Sequence, residues 1–537
     1  MAEMPCRARS QEKMPSVAGP FLVKEGSRPM TRQQGGVNVP IPPRRRTQRA
    51  SRRDLLDVSR LIQAGAMKAA EIACRQILEF DDNSAEGWFF LGVIHQDRQD
   101  WAGAGDHYRE AIRLDPDLAE AHNNLGVVLQ TQERFQRAER CYREALRLEP
   151  HYPEAFNNLG NVLLDTGRFE EAEAAYREAL RQQPGYVEAI KHLGNAVRAQ
   201  GRLAEAIECY NQGLALAPDH VLLHTARAMV WIQMGDFARG WPECEWRLSG
   251  VKQPIPHGDR PVWDGSPLEG RTIVIIAEQG LGDTLQFIRF ATEAARRGGN
   301  VVVFSTPILA RILASCPGVK RVVTDPRSLP DFACYAPVMS LPRILGTTLE
   351  TIPADLAYLA PEPDTSAAWQ AELGAKKGFK IGVVWQGNPI HTKDRERSFR
   401  LAQLGPVASV PGVRLFSLQK NFGLEQLGEV AGKFEVIELG SRLHDFVDTA
   451  AVMQNLDLVI SADSSPAHLA GALGVPIWMP LPYISDWRWM TDRDDTPWYP
   501  TMRLFRQRRF GDWDELFTRL ARELAAAQFF HSRGSLP

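Results

Sequence analysis

The chain has 537 residues, which is too long for one hydrophobic core, so we expect two or three folded units. Its hydrophobic content of 44% and charged content of 24% are ordinary for a soluble globular protein. No apolar run approaches the roughly 18 residues of a membrane-spanning helix, and the N-terminus has no apolar stretch typical of a secretory signal. The sequence therefore predicts neither a membrane span nor secretion.

The net charge of −2 is unevenly distributed along the chain. Residues 1–53 carry a local charge of +9 and seven prolines, which leaves −11 for the remainder. Such a segment has too few large apolar residues to order itself, and it predicts a disordered basic tail. Contact with nucleic acid or anionic lipid is one interpretation. A solvated extension or a misassigned start is the favoured one, so we expect no specific nucleic-acid partner.

The seven cysteines are odd in number and scattered, without a Cys-x-x-Cys pair. This pattern indicates neither a zinc site nor a disulfide framework. It favours a reducing compartment, and the prediction is a cytoplasmic protein.

A 34-residue period runs through the first half of the chain. Prolines recur at 116, 150, 184 and 218, and Leu-Gly pairs recur at 91, 125, 159 and 193. Within residues 152–185, apolar residues follow helical spacing, Gly167 separates two helical stretches, and Pro184 ends the second. The pattern resembles the tetratricopeptide repeat (TPR) over about 84–219, with degenerate repeats at 54–83 and 220–248. We therefore predict a TPR superhelix over residues 54–250.

Stacked repeats of this kind present a concave groove for a protein or peptide partner. Asn124 and Asn158 stand 34 residues apart, immediately before the Leu-Gly pairs. In O-GlcNAc transferase, similar repeats carry asparagines here that bind the backbone of an extended partner. The resemblance implies partner binding by Asn124 and Asn158. The alternative is ordinary helix-surface polarity, because the matching positions in the neighbouring repeats are Phe90 and His192.

The composition changes after residue 250. A Pro/Gly-rich linker is predicted at 251–270, and apolar strands then alternate with helical stretches. The first lobe, at 271–362, has strands at 272–277, 301–305 and 322–324, with a helix at about 284–297. The second lobe, at 379–530, has strands at 380–385, 413–419, 434–439, 457–462 and 475–481. The segment 361–378 is predicted to be a hinge, and a final helix at about 512–528 is expected to cross back to the first lobe.

This alternation predicts an α/β fold with two parallel sheets, which is the two-Rossmann-lobe (GT-B) plan. Ligands of such sheets bind outside the carboxyl ends of the strands, so the loops at those ends are the candidate sites for chemistry.

The loop after the first strand reads Glu278-Gln279-Gly280-Leu281-Gly282-Asp283. A dinucleotide fingerprint is excluded because Leu285 occupies its third glycine position. Gly280 and Gly282 permit close approach of a ligand to the backbone. Asp283 has two interpretations: an N-cap for the following helix, or a general base that takes a proton from an acceptor hydroxyl.

The segment 461–474 follows a strand and opens a helix, with Pro466 at its first position and Ser465 as the expected N-cap. A helix N-terminus with free N–H groups and hydroxyls is an anion site that suits a nucleotide diphosphate. The alternatives are a strand-end cap for Asp463 and a packed side chain for His468. Further polar side chains at strand ends are candidates for binding the donor's pyrophosphate or for solvated surface charge: Gln386, Asn388, Lys393, Arg397 and Lys420.

These loops together resemble the glycosyltransferase family nine clan, which includes the ADP-heptose heptosyltransferases, and in particular its bacterial members with N-terminal TPRs. The similarity extends over about 54–525, and the most specific segments are 445–476 and 486–507. It implies that Asp283 is the catalytic base and that the Asp463, Ser464, Ser465 and His468 loop binds the donor's phosphates. Ser464 replaces the threonine that usually follows the aspartate, and this keeps the hydroxyl.

The resemblance also implies inverting, metal-independent transfer, with no cofactor and a nucleotide-diphosphate sugar as donor. We expect a protein acceptor held by the repeats, as in O-GlcNAc transferase. A saccharide acceptor, as in the heptosyltransferases, is one alternative. A protein-interaction scaffold with an inactive transferase domain is the other. The aromatic residues of 487–499 predict either a stacking surface for base or sugar or a structural wedge.

Overall fold

A computed structural model describes residues 52–251, 259–355, 357–391 and 393–531. The predicted basic tail lies outside these residues except for its last two positions, and so does part of the predicted linker. The chain divides into two compact units, with the boundary between Glu205 and Ala206. None of the described helices is long and apolar enough to cross a membrane.

The repeats form helix–turn–helix pairs, as predicted from the 34-residue period. Their helices are α1 (Arg52–Gln63), α2 (Met67–Phe80), α3 (Ala85–Asp97), α4 (Trp101–Leu114), α5 (Ala119–Thr131), α6 (Phe135–Leu148), α7 (Pro153–Asp165), α8 (Phe169–Gln182), α9 (Val187–Ala199) and α10 (Leu203–Leu216). The α-solenoid is thereby confirmed.

A tyrosine on the second helix of a repeat explains the glycine on the first. A Cβ added to Gly126 would lie 2.5 Å from the ring of Tyr142, which is fully buried. The Tyr142 hydroxyl reaches past the glycine and donates to Gln130 Oε1 at 2.9 Å. Fully buried tyrosines recur with the same period at 108, 142, 176 and 210, so the two helices of each repeat are held at the distance that an aromatic ring sets.

The second unit begins with the end of the repeat region and continues into the α/β part. The last repeat consists of α11 (Val221–Gln233) and α12 (Phe237–Cys244). On α12, Trp241 packs edge-on against Phe287 and Trp487, at ring distances of 6.0 and 5.8 Å. The degenerate last repeat therefore shares its hydrophobic core with the α/β part.

The first sheet is parallel, with the order β3-β2-β1-β4. Its strands are β1 (Thr272–Ile276), β2 (Asn300–Phe304), β3 (Val319–Val323) and β4 (Cys334–Pro337). The helices of this lobe are α13 (Leu281–Phe287), α14 (Ala291–Arg296), α15 (Pro307–Leu313) and α16 (Leu341–Ile344). The predicted helix at 284–297 begins three residues earlier and is interrupted by a 3-10 turn, Ile288–Phe290.

The second sheet is also parallel, with the order β10-β9-β8-β5-β6-β7. Its strands are β5 (Phe379–Val384), β6 (Val413–Ser417), β7 (Val436–Glu438), β8 (Leu458–Ser461), β9 (Ile477–Leu481) and β10 (Met502–Arg506). The helices are α17 (Pro363–Gly374), α18 (Asp394–Arg397), α19 (Gly405–Ala408), α20 (Gln426–Val430), α21 (Phe446–Met453), α22 (Ser465–Ala472) and α23 (Trp513–His531). The two parallel sheets are compatible with the GT-B plan.

The final helix does not follow the expectation that it crosses back to the first lobe. The ring of Phe517 on α23 packs 4.6 Å from that of Phe399. The buried apolar residues described on α23 belong to a second-lobe core with Leu401 and Leu404. The prediction was wrong because an apolar helix face does not specify which sheet it covers. The segment predicted as a hinge contains the helix α17.

Candidate active site

The N-terminus of α13 carries the candidate base. Gly280 is the N-cap and Asp283 lies in the first turn, where its Oδ2 accepts a hydrogen bond from the Gly280 N–H at 2.7 Å. Because glycine has no side chain, only this half of a capping box exists. The interpretation of Asp283 as the N-cap itself was wrong by three residues, although the carboxylate does satisfy a backbone donor.

Gly282 brings α13 against α22 of the second lobe. A Cβ on Gly282 would lie 2.7 Å from Cδ2 of His468, which is buried. The side of Gly282 where a Cβ would stand is thus occupied by the imidazole. The glycine is required here for contact between two helices, which is a different reason from the predicted approach of a ligand.

The loop after β8 opens α22 as predicted, but one residue earlier. Ser464 is the N-cap with extended backbone, Ser465 is the first helical residue, and Pro466 follows it. The Ser464 hydroxyl donates to the Ala462 carbonyl at 3.1 Å and makes no capping bond. The N–H groups of the first turn therefore receive no bond from this side chain, and a helix N-terminus in that condition favours an anion.

Asp463 and His468 are both buried beside this N-terminus. Asp463 Oδ2 accepts from the indole N–H of Trp489 at 2.8 Å, and burial together with the nearby Asp486 raises the pKa of Asp463 to about 6. His468 Nδ1 lies 2.9 Å from the Tyr499 hydroxyl. Burial and the neighbouring Arg488 lower the pKa of His468 to about 3, so its imidazole is neutral at physiological pH.

Arg488 joins the two lobes and was missed as a site residue in the sequence. Its guanidinium pairs with Asp283, donates from Nε to Gln286 Oε1 at 2.7 Å, and donates from Nη1 to Asp486 Oδ1 at 2.8 Å. The side chain is buried and lies over the ring of Trp487, 4.2 Å from its centroid. Burial disfavours the charge, but Asp486 and Asp283 outweigh it and raise the pKa of Arg488.

The basic loop after β5 reaches the same region. The charge of Lys393 acts on Asp486 and that of Arg397 acts on Asp463, in both cases lowering the carboxyl pKa. These two predicted donor-site residues therefore lie near the carboxylates of the α22 loop. Burial and Arg488 act oppositely on Asp486, and Arg488 prevails, so the pKa of Asp486 is below its ordinary range.

The other predicted donor-site residues have contacts within the protein. Gln386 Oε1 accepts from Gln426 at 3.2 Å, and exposed Asn388 forms a turn with the N–H of Ile390 at 3.0 Å. The ammonium of Lys420 donates to the carbonyls of residues 443 and 444, immediately before α21. These bonds hold the loops in place, and the role of the three residues in donor binding stays a prediction.

The aromatic cluster is packed inside the protein. The described side chains of Trp487, Trp489, Trp498 and Tyr499 are at most 4% exposed. Of the two interpretations, the structure favours the structural wedge over a stacking surface.

Arg289 of the first lobe is held among these rings and was also missed in the sequence. It donates to the Trp498 carbonyl at 2.7 Å and to the Tyr358 hydroxyl at 2.9 Å, and it is 2% exposed. This buried arginine therefore ties the first lobe to the backbone of the second.

The two repeat asparagines, Asn124 and Asn158, both make hydrogen bonds within the repeats. Asn124 is 1% exposed, donates to the Tyr108 hydroxyl at 3.3 Å and accepts from Asn123 at 3.1 Å. Asn158 is half-buried and donates to Asn123 at 3.0 Å. The amide of Asn124 thus serves contacts within the repeats, while Asn158 retains an exposed part. Partner binding by these residues stays a prediction.

Comparison with known families defines the class of protein. Residues 92–133, 123–187 and 163–230 match models of the tetratricopeptide repeat. Residues 402–477 match the model of glycosyltransferase family 9 (heptosyltransferase). The match includes the loop from Asp463 to His468, and Asp283 lies outside it. The chain therefore combines TPRs with a region related to glycosyltransferase family 9, as the sequence motifs indicated.

One curated relative matches part of the chain. The chain is 29% identical over 335 residues to Protein FlbA of Caulobacter vibrioides, a match that covers 57% of this chain and 55% of FlbA. The chain thus spans about half the length of this relative.

The solved structures of two proteins are similar to part of the chain, with low TM-scores. The crystal structure of MamA is 25% identical, with a TM-score of 0.28, and covers 30% of this chain and 94% of its own. The structure of YrrB, a TPR protein with an unusual peptide-binding site, is 21% identical, with a TM-score of 0.29, and covers 33% and 92%. At these scores neither likeness carries an argument about function.

In the parts of the chain that the structure describes, no group of three or more His, Cys, Asp or Glu side chains is placed to hold a metal ion.

Proposed function

We propose that this protein is an inverting glycosyltransferase that moves a sugar from a nucleotide-diphosphate sugar to a hydroxyl acceptor. The observation that carries the proposal is the meeting of α13 and α22, which brings Asp283 and the Asp463–His468 loop together beside Arg488. The family 9 match of residues 402–477 supports sugar transfer as the chemistry.

In the proposed reaction an acceptor hydroxyl oxygen attacks the anomeric carbon on the face opposite the diphosphate. The bond from carbon to the diphosphate oxygen breaks, and its electron pair leaves with the nucleoside diphosphate. Asp283 takes the hydroxyl proton as general base. One displacement of this kind inverts the anomeric centre.

The charge that develops on the leaving diphosphate requires fixed positive partners. The first turn of α22 offers N–H groups after Ser464, and Lys393, Arg397 and Arg488 act electrostatically on this region. Preorganised donors of this kind stabilise the leaving group without a metal ion. This arrangement supports the metal-independent form of the proposal.

The acceptor we propose is a protein segment held by the repeats. TPRs bind protein partners in their groove, and residues 92–230 match the repeat models. A saccharide acceptor, which the description of family 9 as heptosyltransferases suggests, is the second candidate.

The first experiment is thermal unfolding of the purified chain against a panel of nucleotide-diphosphate sugars. A ligand present at about 100 times its Kd stabilises the native state by about 2.7 kcal/mol, which gives a measurable rise in Tm. The donor that responds is then incubated with candidate protein and saccharide acceptors, and the anomeric configuration of the product is determined by NMR. Silence across the panel, or a product with retained configuration, contradicts the proposal.

A further inference from the structure

Arg488 holds the carboxylate that the proposed reaction needs as a base. Oδ1 of Asp283 is paired with its guanidinium, while Oδ2 accepts the N–H of Gly280. An acceptor hydroxyl must compete with one of these two donors before Asp283 can take its proton. The backbone bond is built into the helix turn, so the side-chain partner Arg488 is the one that can change.

The contacts that Arg488 makes with the described residues leave part of its donor capacity unused. A guanidinium has five N–H groups, and the bonds to Asp283, Gln286 and Asp486 use three of them. Gln286 accepts from Arg488 with its oxygen, so its amide nitrogen faces elsewhere. That nitrogen is shielded from solvent and, among the described residues, has no hydrogen-bond partner. Most buried donors have a partner, so the amide nitrogen of Gln286 is a donor of this region that the described contacts leave unsatisfied.

An anion is the acceptor that suits the remaining N–H groups of Arg488. Asp283 and Asp486 both pair with Arg488, and the positive charges of Lys393 and Arg397 act on the carboxylates of this region. Arginine binds phosphate oxygens through paired N–H groups, as it binds carboxylates. A diphosphate at the N-terminus of α22 therefore competes with Asp283 for the same guanidinium.

We propose that Arg488 is a positioning residue that exchanges partners: it holds Asp283 in the resting protein and turns to the diphosphate of the donor when the donor binds. Oδ1 of Asp283 is then released to an acceptor hydroxyl only in the donor-bound state. This device keeps the base occupied until the sugar to be transferred is in place. It rests on the proposed function for the nature of the donor, and its test does not require turnover.

The test is a double-mutant cycle on the affinity of the full chain for inorganic pyrophosphate, measured by isothermal titration at pH 8. Asp283→Asn removes the competing charge, so the affinity is expected to rise about tenfold, the value of one charge-assisted hydrogen bond. Arg488→Gln is expected to lower the affinity by at least as much. In the Arg488→Gln background, Asp283→Asn is expected to produce no gain.

Glu278→Gln is the matched control, because Glu278 lies in the same loop as Asp283 but pairs with Arg247 and not with Arg488. A general gain from the loss of negative charge raises the affinity in Glu278→Gln as much as in Asp283→Asn, and this result overturns the exchange. So does a gain that persists in the Arg488→Gln background, or an absence of pyrophosphate binding in both the wild type and Asp283→Asn. If Arg488→Gln does not fold, Arg488→Lys replaces it. Lysine lacks the paired N–H groups of a guanidinium, so Asp283→Asn is expected to raise the pyrophosphate affinity less in this background than in the wild type.

The outcome is distinguishable from the failure of the proposed function. If the cycle gives the expected pattern while no nucleotide-diphosphate sugar is turned over, Arg488 is a diphosphate-binding residue and the transferase proposal fails. If turnover occurs while the cycle shows no coupling, the transferase stands and the exchange is wrong.

Discussion

Asp463→Asn tests how much the negative charge of the buried Asp463 carboxylate lowers the free energy of unfolding. Burial and Asp486 raise the pKa of Asp463 from its ordinary value of 3.8 to about 6. A raised carboxyl pKa means that folding disfavours the charged form. The difference of about two pKa units corresponds to about 3 kcal/mol at most, because one unit is about 1.36 kcal/mol. Asparagine keeps an oxygen for the Trp489 indole N–H but carries no charge.

The sign of the pH dependence follows from the two pKa values. Below pH 3.8 the carboxyl is neutral in both the folded and the unfolded chain, so it costs nothing. The cost grows as pH rises from 3.8 to about 6 and is constant above that. Asp463→Asn is therefore expected to raise the Tm by several degrees at pH 8, and roughly half of this gain should disappear at pH 5.

The assay is thermal unfolding of wild type and variant at pH 5, 6 and 8, in the same buffer series. Asp486→Asn is the control of opposite sign, because the pKa of Asp486 is lowered and its charge is favoured by Arg488. That variant is expected to lower the Tm, most strongly at pH 8. A loss of Tm in Asp463→Asn that is the same at pH 5 and pH 8 refutes the reasoning, since it shows that the carboxylate is well accommodated.

Two further predictions concern stability. Arg289→Met is expected to cost about 3 kcal/mol, because it removes a buried cation and leaves the Trp498 carbonyl without its donor. Its control, Arg311→Met, is expected to cost less than about 1 kcal/mol, because that arginine is 48% exposed. Equal shifts of Tm for the two variants would show that burial gives Arg289 no greater contribution to stability than an exposed ion pair makes. In the repeats, Tyr176→Phe loses a 2.7 Å bond to Asn161 and is expected to cost about 1 kcal/mol in urea unfolding, and an unchanged midpoint would show that this hydroxyl is not needed.

The fold was largely predictable because its signals are local and periodic. The 34-residue period predicted the helix pairs, and apolar runs predicted the strands at 272–277 and 457–462. Two strands were missed. Cys334–Pro337 is only four residues long and ends in proline, and Met502–Arg506 alternates apolar residues with arginine close to a segment rich in tryptophan and proline.

The local structure of the candidate site could be predicted where one loop contains it, and its contacts could not be predicted where segments distant in sequence meet. The Asp463–His468 loop follows a strand and opens a helix, and both facts are visible in the sequence. The pairing of Asp283 with Arg488 joins residues 205 positions apart, and no sequence pattern indicates it. Similarly, Asn124 was predicted to face a partner from its repeat position alone. Whether its amide is exposed depends on Tyr108 and Asn123, which pack over it in the folded repeats.

The central claim is that Asp283 acts as the base of a sugar transfer. The most direct measurement is the rate of nucleoside diphosphate release from the donor that responds in the thermal panel, with acceptor present, for wild type and Asp283→Asn. Asparagine keeps one of the two oxygens that bond to Gly280 and Arg488, so thermal unfolding must first show that the variant is folded. A loss of at least about 100-fold in kcat is expected, because the variant lacks the general base. Turnover retained within a few fold in the folded variant would contradict this role of Asp283.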